Sequence, residues 1–328
     1  MTAKNLAPIV YLETSPTGEE GSWSEFKVCT FNEEWVNNND GTTITLTNIG
    51  DKVYFRAKQE NERFGTSLNA YNNFVMTGKI AASGNLNTLL KADGSVVDLT
   101  GRSYCYGHMF YYCESLTQAP ELPARILAED CYSSMFNNCT SLTQAPELPA
   151  TELASYCYGG MFADCLSLTQ APELPATTLA EYCYDSMFYG CTSLTQAPEL
   201  KAETLARNCY SNMFIYCSSL SSAPELLATT LAERCYSSMF FSCISLTQAP
   251  KLKAETLAEN CYKSMFMRSG IPSFTVDMTT CTSVPTLPST TLFGLSAKPY
   301  TILVPASLYD KWIQATNWST IASNIQAV

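Results

Sequence analysis

The chain has 328 residues, 15 cysteines and a single histidine, with a formal net charge of −11 and an apolar fraction of 46%. The length allows two or three domains with a buried core, and the apolar fraction argues against disorder. The acidic charge disfavours a nucleic acid or an anionic membrane as partner, and no apolar run approaches the ~18 residues of a membrane span.

The N-terminal 85 residues alternate between apolar and polar side chains, as β-strands do. Residues 42–47 and 52–57 have a period of two and are separated by a turn signal at residues 48–51. Residues 74–80 form a further predicted strand. We therefore expect a small, β-rich, sandwich-like domain of five to eight strands in residues 1–85, which caps the middle part of the chain.

A repeated unit occupies the middle of the chain. The hexapeptide Cys-Tyr-x-x-Met-Phe begins every 26 residues, and in six of the seven copies a second cysteine follows eight residues after the first. The first cysteines are Cys105, Cys131, Cys157, Cys183, Cys209, Cys235 and Cys261, and the second are Cys113, Cys139, Cys165, Cys191, Cys217 and Cys243. A further segment at Cys281 resembles an altered unit, so only Cys29 lies outside the pattern.

Positions in a unit are counted from its first cysteine at 0. The invariant apolar positions −4, 0, +1, +4, +5 and +8 fall in one half of a helical wheel, which predicts an amphipathic helix over residues 179–191 of the fourth unit. The proline-marked residues 193–200 are predicted to be extended. One strand and one helix per unit predict an α/β solenoid, a right-handed leucine-rich-repeat-type array.

Strands stack more closely than helices do, so we expect a curved array with its strands on the concave side. Because a proline recurs in every unit, the expected sheet is only a few residues wide. The predicted C-terminal cap has a strand at residues 300–304 and a helix at residues 307–316, with Trp312, Trp318 and Ile321 packing over the last repeat. The predicted divisions are 1–85 (β-rich), 86–104 (linker or N-terminal cap), 105–295 (array) and 296–328 (C-terminal cap).

The unit MFxxCxSLTQAPxLPATTLAxxCYxxMF resembles the BspA-like (Treponema-type) leucine-rich repeats of gut and oral bacteria and of their phages. The resemblance covers roughly residues 85–295. It implies adhesion or ligand binding without catalysis, at an extracellular or cell-surface location. The first 15 residues are too weakly apolar for a signal peptide, so we also consider a location in a phage particle.

The cysteines have three possible roles. A zinc site needs four convergent ligands, which a spacing of eight residues does not provide, so we expect no metal. Two cysteines on one helix would lie ~12 Å apart, too far for a disulfide, and pairing between units requires that the helix end early. Buried thiols are the remaining role. The predicted core comprises Cys105, Met109, Phe110, Cys131, Met135, Phe136, Cys157, Met161, Phe162, Cys183, Met187 and Phe188.

Two sets of residues are candidates for ligand binding. The aromatic residues at positions +6 and +7 on the predicted outer face either bind a sugar or protein or reflect neutral variation: Tyr111, Tyr112, Tyr189, Tyr216 and Phe241. The glutamates at position +16 either form an acidic stripe for a basic partner or calcium, or simply face solvent: Glu121, Glu147, Glu173, Glu199 and Glu225. His108 is predicted to be a surface histidine.

No nucleophile, phosphate-binding or dinucleotide-binding motif stands in a suitable context, so we predict no enzyme and no cofactor. Two functions are consistent with the sequence. The first is a non-catalytic adhesion or recognition protein that binds a protein or glycan on a host or bacterial surface. The second is a structural component of a phage particle, such as a tail, fibre or receptor-binding protein. In that case residues 1–100 would attach it to other structural proteins.

Overall fold

A computed structural model describes residues 10–27, 29–31, 42–67, 69–287 and 299–328. The predicted boundary at residue 295 lies outside these residues, as do the first nine residues of the predicted N-terminal domain. Among the described residues, no helix has the length and apolar character needed to cross a membrane.

The described N-terminal residues form seven short strands. They are β1 (Leu12–Ser15), β2 (Ser24–Phe26), β3 (Cys29–Phe31), β4 (Tyr54–Ala57), β5 (Gly65–Ser67), β6 (Ala70–Asn73) and β7 (Ile80–Ala81). Two antiparallel sheets have the orders β2–β1–β4 and β3–β6–β5. The strand predicted at residues 42–47 is not formed, because the segment lies exposed and alternation alone supplies no pairing partner. The strand predicted at residues 74–80 is also wrong except for its last residue, which begins β7.

The predicted helix in each unit is wrong. Residues 105–287 are all described and contain no helix; positions −1 to +8 form consecutive tight turns instead. In the second unit, the N–H of Met135 donates to the carbonyl of Tyr132 at 3.2 Å across a turn whose third residue, Ser134, has φ +52°. A positive φ at this position is typical of a type II turn. Overlapping turns centred two residues apart therefore replace the helix.

Every fourth residue of this turn ribbon is left-handed. Positions −1, +3 and +7 have positive φ in all seven units: Tyr104, His108, Tyr112, Asp130, Ser134, Asn138, Tyr156, Gly160, Asp164, Tyr182, Ser186, Gly190, Asn208, Asn212, Tyr216, Arg234, Ser238, Ser242, Asn260, Ser264 and Arg268. Left-handed residues at this spacing interrupt the N–H(i)→C=O(i−4) bonds of an α-helix. The apolar period is thus four residues, whereas a helix has 3.6.

The remaining N–H groups of the ribbon join one unit to the next. The N–H of Tyr132 donates to the carbonyl of Cys157 at 3.0 Å, and the N–H of Phe136 donates to the carbonyl of Met161 at 2.9 Å. Each bond joins residues 25 positions apart in the chain. The N–H groups of the turn ribbon therefore alternate between a bond inside the unit and a bond to the following unit. This pattern satisfies the polar backbone of a wall that carries neither a helix nor a regular strand.

The extended part of each unit pairs in parallel at single residues. Bridges join Gln170 to Gln196 and Gln196 to Ser222, and a second row joins Thr178 to Thr204. The first five units contain one strand, β8 (Leu116–Gln118), which pairs with β7. The turn ribbon and the extended segment of a unit are thus both aligned with the next unit so that the contacts repeat every 26 residues. Because no helix is present, the expected mismatch between strand and helix spacing, and the curvature inferred from it, have no physical basis.

The core consists of columns of identical side chains. The tyrosines at +1, from Tyr106 to Tyr262, stack with ring centroids 5.6–6.0 Å apart, and the phenylalanines at +5, from Phe110 to Phe266, stack at 5.5–5.9 Å. Cysteine and methionine fill positions 0 and +4 and are at most 2% exposed. All twelve predicted core residues of the first four units are buried.

The N-terminal residues extend these columns backwards. Phe64 donates its N–H to the carbonyl of Cys105 at 2.7 Å and stacks on Tyr106, and Phe74 does the same for Met109 and Phe110. Two phenylalanines ten positions apart thus replace the Tyr and Phe of a preceding unit. The open end of the array is covered by a substitute unit, as a stack of repeats requires.

The C-terminal end is closed by a parallel sheet. Its order is β12–β11–β10–β9, formed by β9 (Leu252–Lys253), β10 (Phe274–Asp277), β11 (Tyr300–Val304) and β12 (Ile325–Ala327). The predicted strand at 300–304 is β11. The predicted helix at 307–316 is shorter, α1 (Tyr309–Gln314), between 3₁₀ turns at Ala306–Leu308 and Trp318–Asn324; a further 3₁₀ turn spans Leu86–Leu89. Trp312 and Trp318 are buried and packed edge to face at 4.5 Å, and Ile321 is partly buried.

Candidate functional site

The turn ribbon presents one outward surface, here called the turn face. It consists of the side chains at positions −1, +2, +3, +6 and +7, because those at 0, +1, +4, +5 and +8 point into the core. The turn face therefore carries the residues that differ between units, on a wall where most backbone N–H groups of the first six units are hydrogen-bonded.

Three of the predicted aromatic residues form one row across the fourth, fifth and sixth units. The rings of Tyr189 and Tyr216 meet at 5.5 Å and 90°, and those of Tyr216 and Phe241 at 5.8 Å and 90°. The guanidinium of Arg268 lies 5.7 Å from the Phe241 ring, a cation–π distance. Tyr216 is 42% exposed, and Tyr189 and Phe241 are half-buried. This set, Tyr189–Tyr216–Phe241, is called the second row, because tyrosines at position −1, described below, form a first row that precedes it along the ribbon.

Tyr111 and Tyr112 are not contiguous with that row. They pack edge to face at 4.6 Å in the first unit, and Tyr112 is 56% exposed. The second and third units carry Asn138 and Asp164 at the corresponding position, so a polar interval separates the two groups. Burial raises the pKa of Asp164, whose carboxylate lies over Gly190, where a Cβ would overlap it.

The prediction for His108 is wrong. This side chain is 9% exposed, stacked on Tyr71 of β6 at 4.5 Å and against Tyr111 at 5.2 Å. Burial lowers the pKa of His108 to about 4. The first unit differs from the others because the N-terminal sheet covers part of its turn face, which no pattern within the repeat could reveal.

A second aromatic group on the turn face was not predicted. Tyr156 and Tyr182, both at position −1, stack with centroids 4.4 Å apart and planes 10° apart. Tyr156 is 37% exposed. The helical wheel places position −1 on the polar side, where a tyrosine is expected to be an isolated surface residue. Three tyrosines at one variable position, Tyr104, Tyr156 and Tyr182, were the available signal.

A partly buried carboxylate follows this tyrosine pair. Asp185 accepts hydrogen bonds from the Ser186 hydroxyl at 3.1 Å and from the Asn212 amide at 3.0 Å. Burial raises the pKa of Asp185 despite these bonds. Burial also raises the pKa of Asp130 to about 6, although the hydroxyls of Ser133 and Tyr104 act in the opposite direction. The turn face therefore combines aromatic rings with carboxylates that are only partly solvated.

The five glutamates at +16 lie exposed on a different wall of the units. Glu199 reaches Lys201 at 4.0 Å, and its side chain is 87% exposed. Within the described residues, no group of three or more histidine, cysteine or acidic side chains is arranged to hold a metal ion. An open groove of about 340 Å³ lies elsewhere, between the fifth and sixth units, and is lined by Glu203, Thr204, Leu205, Thr230, Leu231 and Ala232.

The cysteines are components of the core. The fourteen from Cys105 to Cys281 are free and buried. From the second unit to the sixth, the thiol at +8 donates to the carbonyl of the +5 phenylalanine of the preceding unit, as Cys165 does to Phe136 at 3.1 Å. Burial raises the thiol pKa, for example to about 12 at Cys209 and Cys243. Such thiols are protonated and shielded, the opposite of a reactive cysteine.

Comparison with protein-family models and with curated proteins finds no match to this chain. The geometry of the turn face is therefore the basis for a functional proposal.

Proposed function

We propose that the chain is a non-catalytic recognition protein whose repeats form a solenoid that binds a protein or glycan on a host or bacterial surface. The BspA-like resemblance and an extracellular or cell-surface location belong to the same proposal. In this proposal the repeats supply a rigid support, and the variable side chains of the turn face supply the contacts.

The observation that carries the proposal is the second row, Tyr189–Tyr216–Phe241. Aromatic side chains on a surface leave apolar area in water, and contiguous exposed apolar area in a soluble protein commonly marks a binding site. Units that arose by duplication start with the same residue at each position. These aromatic rings nevertheless occur at positions where other units carry Asn, Ala, Ser or Gly. Tyr and Phe are also the residue types that dominate binding interfaces.

The test compares the full chain with a variant carrying Tyr189→Ala and Tyr216→Ser. Other units carry these residues at the same positions, Ala163 and Ser242, so the turn ribbon tolerates them. We expect the variant to bind immobilised mucin or host cells at least tenfold more weakly. Glu173→Gln, on a different wall, is the matched control and should bind normally. Equal binding by all three proteins would overturn this role for the second row.

A structural role in a phage particle is the alternative, and one observation favours it. In the N-terminal region Ile44, Leu46 and Ile49 are exposed, the last of them completely. Such a segment could attach residues 1–100 to another particle protein. Two results together would support the alternative. Neighbouring genes should encode particle proteins, and the chain should be incorporated into particles unless it carries Ile44→Ser and Leu46→Ser. Normal incorporation of this variant would contradict the attachment role.

A further inference from the structure

The turn face carries two aromatic rows with a polar row between them. The first row consists of the tyrosines at position −1: Tyr104, Tyr156 and Tyr182. The second row, Tyr189–Tyr216–Phe241, lies at positions +6 and +7. Positions +2 and +3 lie between them along the ribbon and form the middle row. From the second to the sixth unit the middle row reads Ser133–Ser134, Gly159–Gly160, Asp185–Ser186, Ser211–Asn212 and Ser237–Ser238.

The spacing along the rows is fixed by the array. Stacked core rings beneath the turn face lie 5.5–6.0 Å apart from unit to unit, and backbone hydrogen bonds connect each unit to the next. A pyranose ring in an extended glycan chain advances by a similar distance. A ligand that repeats at this spacing can therefore place one of its rings over each successive unit, at little cost in ordering the protein.

The polar groups of the middle row suit a ligand with many hydroxyl groups. The carboxylate of Asp185 accepts hydrogen bonds, and the amide of Asn212 both donates and accepts. Ser133 and Ser211 are buried, and the hydroxyls of the partly exposed serines can donate or accept: Ser134, Ser186, Ser237 and Ser238. Positions +2 and +3 carry no lysine or arginine from the second to the sixth unit, and the chain has a net charge of −11. An anionic polymer would be repelled, so the charge favours a neutral ligand.

One buried donor beside these rows has no partner. Asn208 follows Tyr182 at position −1 and is 5% exposed, and its Nδ2 finds no acceptor among the described residues. A buried amide left without a hydrogen bond costs about 1–3 kcal/mol. A ligand oxygen seated beside Tyr182 would supply the missing acceptor.

An extended peptide fits this surface poorly. Peptides that add to a sheet edge pair with free backbone N–H and C=O groups. On the turn face these groups are already used, because Ser134 and Ser186, for example, donate their N–H groups to the next unit at 2.8 and 2.9 Å. Recognition there must proceed through side chains.

We propose that the turn face of the second to sixth units binds a neutral, linear glycan whose chain runs from unit to unit. Its sugar rings pack against Tyr156, Tyr182 and the second row, while its hydroxyls bond to Asp185 and Asn212 and its oxygens accept from Asn208. This inference rests on the proposed recognition function and names its ligand class.

The test uses the full chain and variants drawn from its own units. Tyr156→Asn and Tyr182→Asn, combined, introduce the residue that Asn208 and Asn260 show at the same left-handed position, so the fold is retained. Binding is measured to immobilised mucin from which sialic acid has been removed, either without further treatment, treated with periodate to cleave vicinal diols, or digested with protease, and to neutral polysaccharides in affinity gels. Glu173→Gln is the control.

We expect periodate to abolish mucin binding, protease digestion to spare it, and the double variant to bind at least tenfold more weakly than the control. Binding that survives periodate and is lost on protease digestion would overturn the glycan inference and leave the recognition function intact. No binding to this mucin without further treatment or to any polysaccharide by the wild-type chain would contradict both. If the double variant binds with the affinity of the wild type, Tyr156 and Tyr182 do not belong to the glycan-binding site, and the proposed location is overturned.

Discussion

The thiol of Cys165 lies 3.1 Å from the carbonyl oxygen of Phe136, 29 residues earlier and one unit away. The contact recurs from unit to unit, and at the N-terminal end the thiol of Cys113 meets the carbonyl of Phe74, the residue that substitutes for a repeat phenylalanine. The second cysteine of each unit is thus a buried hydrogen-bond donor that joins neighbouring units. Its recurrence follows from this geometry and requires neither a disulfide nor a metal.

Replacement of Cys165 should therefore distinguish hydrogen bonding from packing. Cys165→Ala removes both the donor and a buried sulfur, and we expect the free energy of unfolding to fall by about 2 kcal/mol. Cys165→Ser keeps a donor and should lose less. Urea unfolding followed by tyrosine fluorescence measures both variants. A serine variant less stable than the alanine variant would show that the thiol–carbonyl contact contributes nothing.

The left-handed positions make a second prediction. Ser238 has φ +54° and donates its N–H to Lys263 at 2.7 Å. Ser238→Val places a β-branched side chain in the left-handed region, and we expect a loss of about 1–2 kcal/mol. Ser238→Asn, which Asn212 represents in the preceding unit, should be nearly neutral. If the two variants are equally stable in thermal unfolding, the backbone at this position is not left-handed.

Alkaline pH should destabilise the protein steeply. Burial raises the pKa of Cys113, Cys209, Cys243 and Cys261 from 9.0 to about 12. Their contribution to stability is complete below pH 9, where the unfolded thiols are also protonated, and is lost as the pH rises towards 12. Between pH 9 and 12, each such thiol lowers the free energy of unfolding by about 1.4 kcal/mol for each pH unit. Urea midpoints at pH 7.5, 9 and 10 measure the effect, and a constant midpoint would contradict thiol burial.

Acid should remove the contribution of the single histidine to stability. Burial lowers the pKa of His108 from 6.5 to about 4, so the unfolded chain takes up a proton in this range that the folded chain does not. The contribution of His108 to stability is therefore lost as the pH falls from 6.5 towards 4, by about 1.4 kcal/mol per pH unit, whereas the raised pKa of Asp130 acts in the opposite direction.

His108→Asn, which tolerates the positive φ, removes this one titration. The difference in unfolding free energy between wild type and variant should change with pH between 6.5 and 4 and be constant above 7. A pH-independent difference would place His108 in solvent.

The sequence predicts which residues are buried far better than it predicts the backbone that buries them. Spacing of apolar residues identifies the inward positions, and Cys183, Tyr184, Met187 and Phe188 are all buried. A helix and a ribbon of turns both place these residues on one side over nine positions, because 3.6 and 4.0 residues per turn diverge little over that length. The Asn, Asp, Gly and Ser residues common at −1, +3 and +7 were the signal for left-handed turns.

Features that depend on the two ends could not be obtained from the repeat. Phe64 and Phe74 act as a substitute unit only because β5 and β6 bring them over the first repeat, and sequence spacing gives no indication of this. His108 is buried for the same reason. Residues 42–47 show the converse case, in which an alternating pattern forms no strand, although the N–H of Thr42 donates to the carbonyl of Lys27 at 2.6 Å. Local pattern predicts a preference for extension, whereas pairing depends on what packs beside it.

We expect the turn face to be the binding surface, and hydroxyl-radical footprinting with and without mucin glycans freed of sialic acid measures this. Bound glycan should protect Tyr156, Tyr182 and Tyr216, while Tyr54, exposed on the N-terminal sheet, stays as reactive as in the free protein. Protection confined to Tyr54 or to the wall that carries Glu173, with the turn-face tyrosines unchanged, would contradict it.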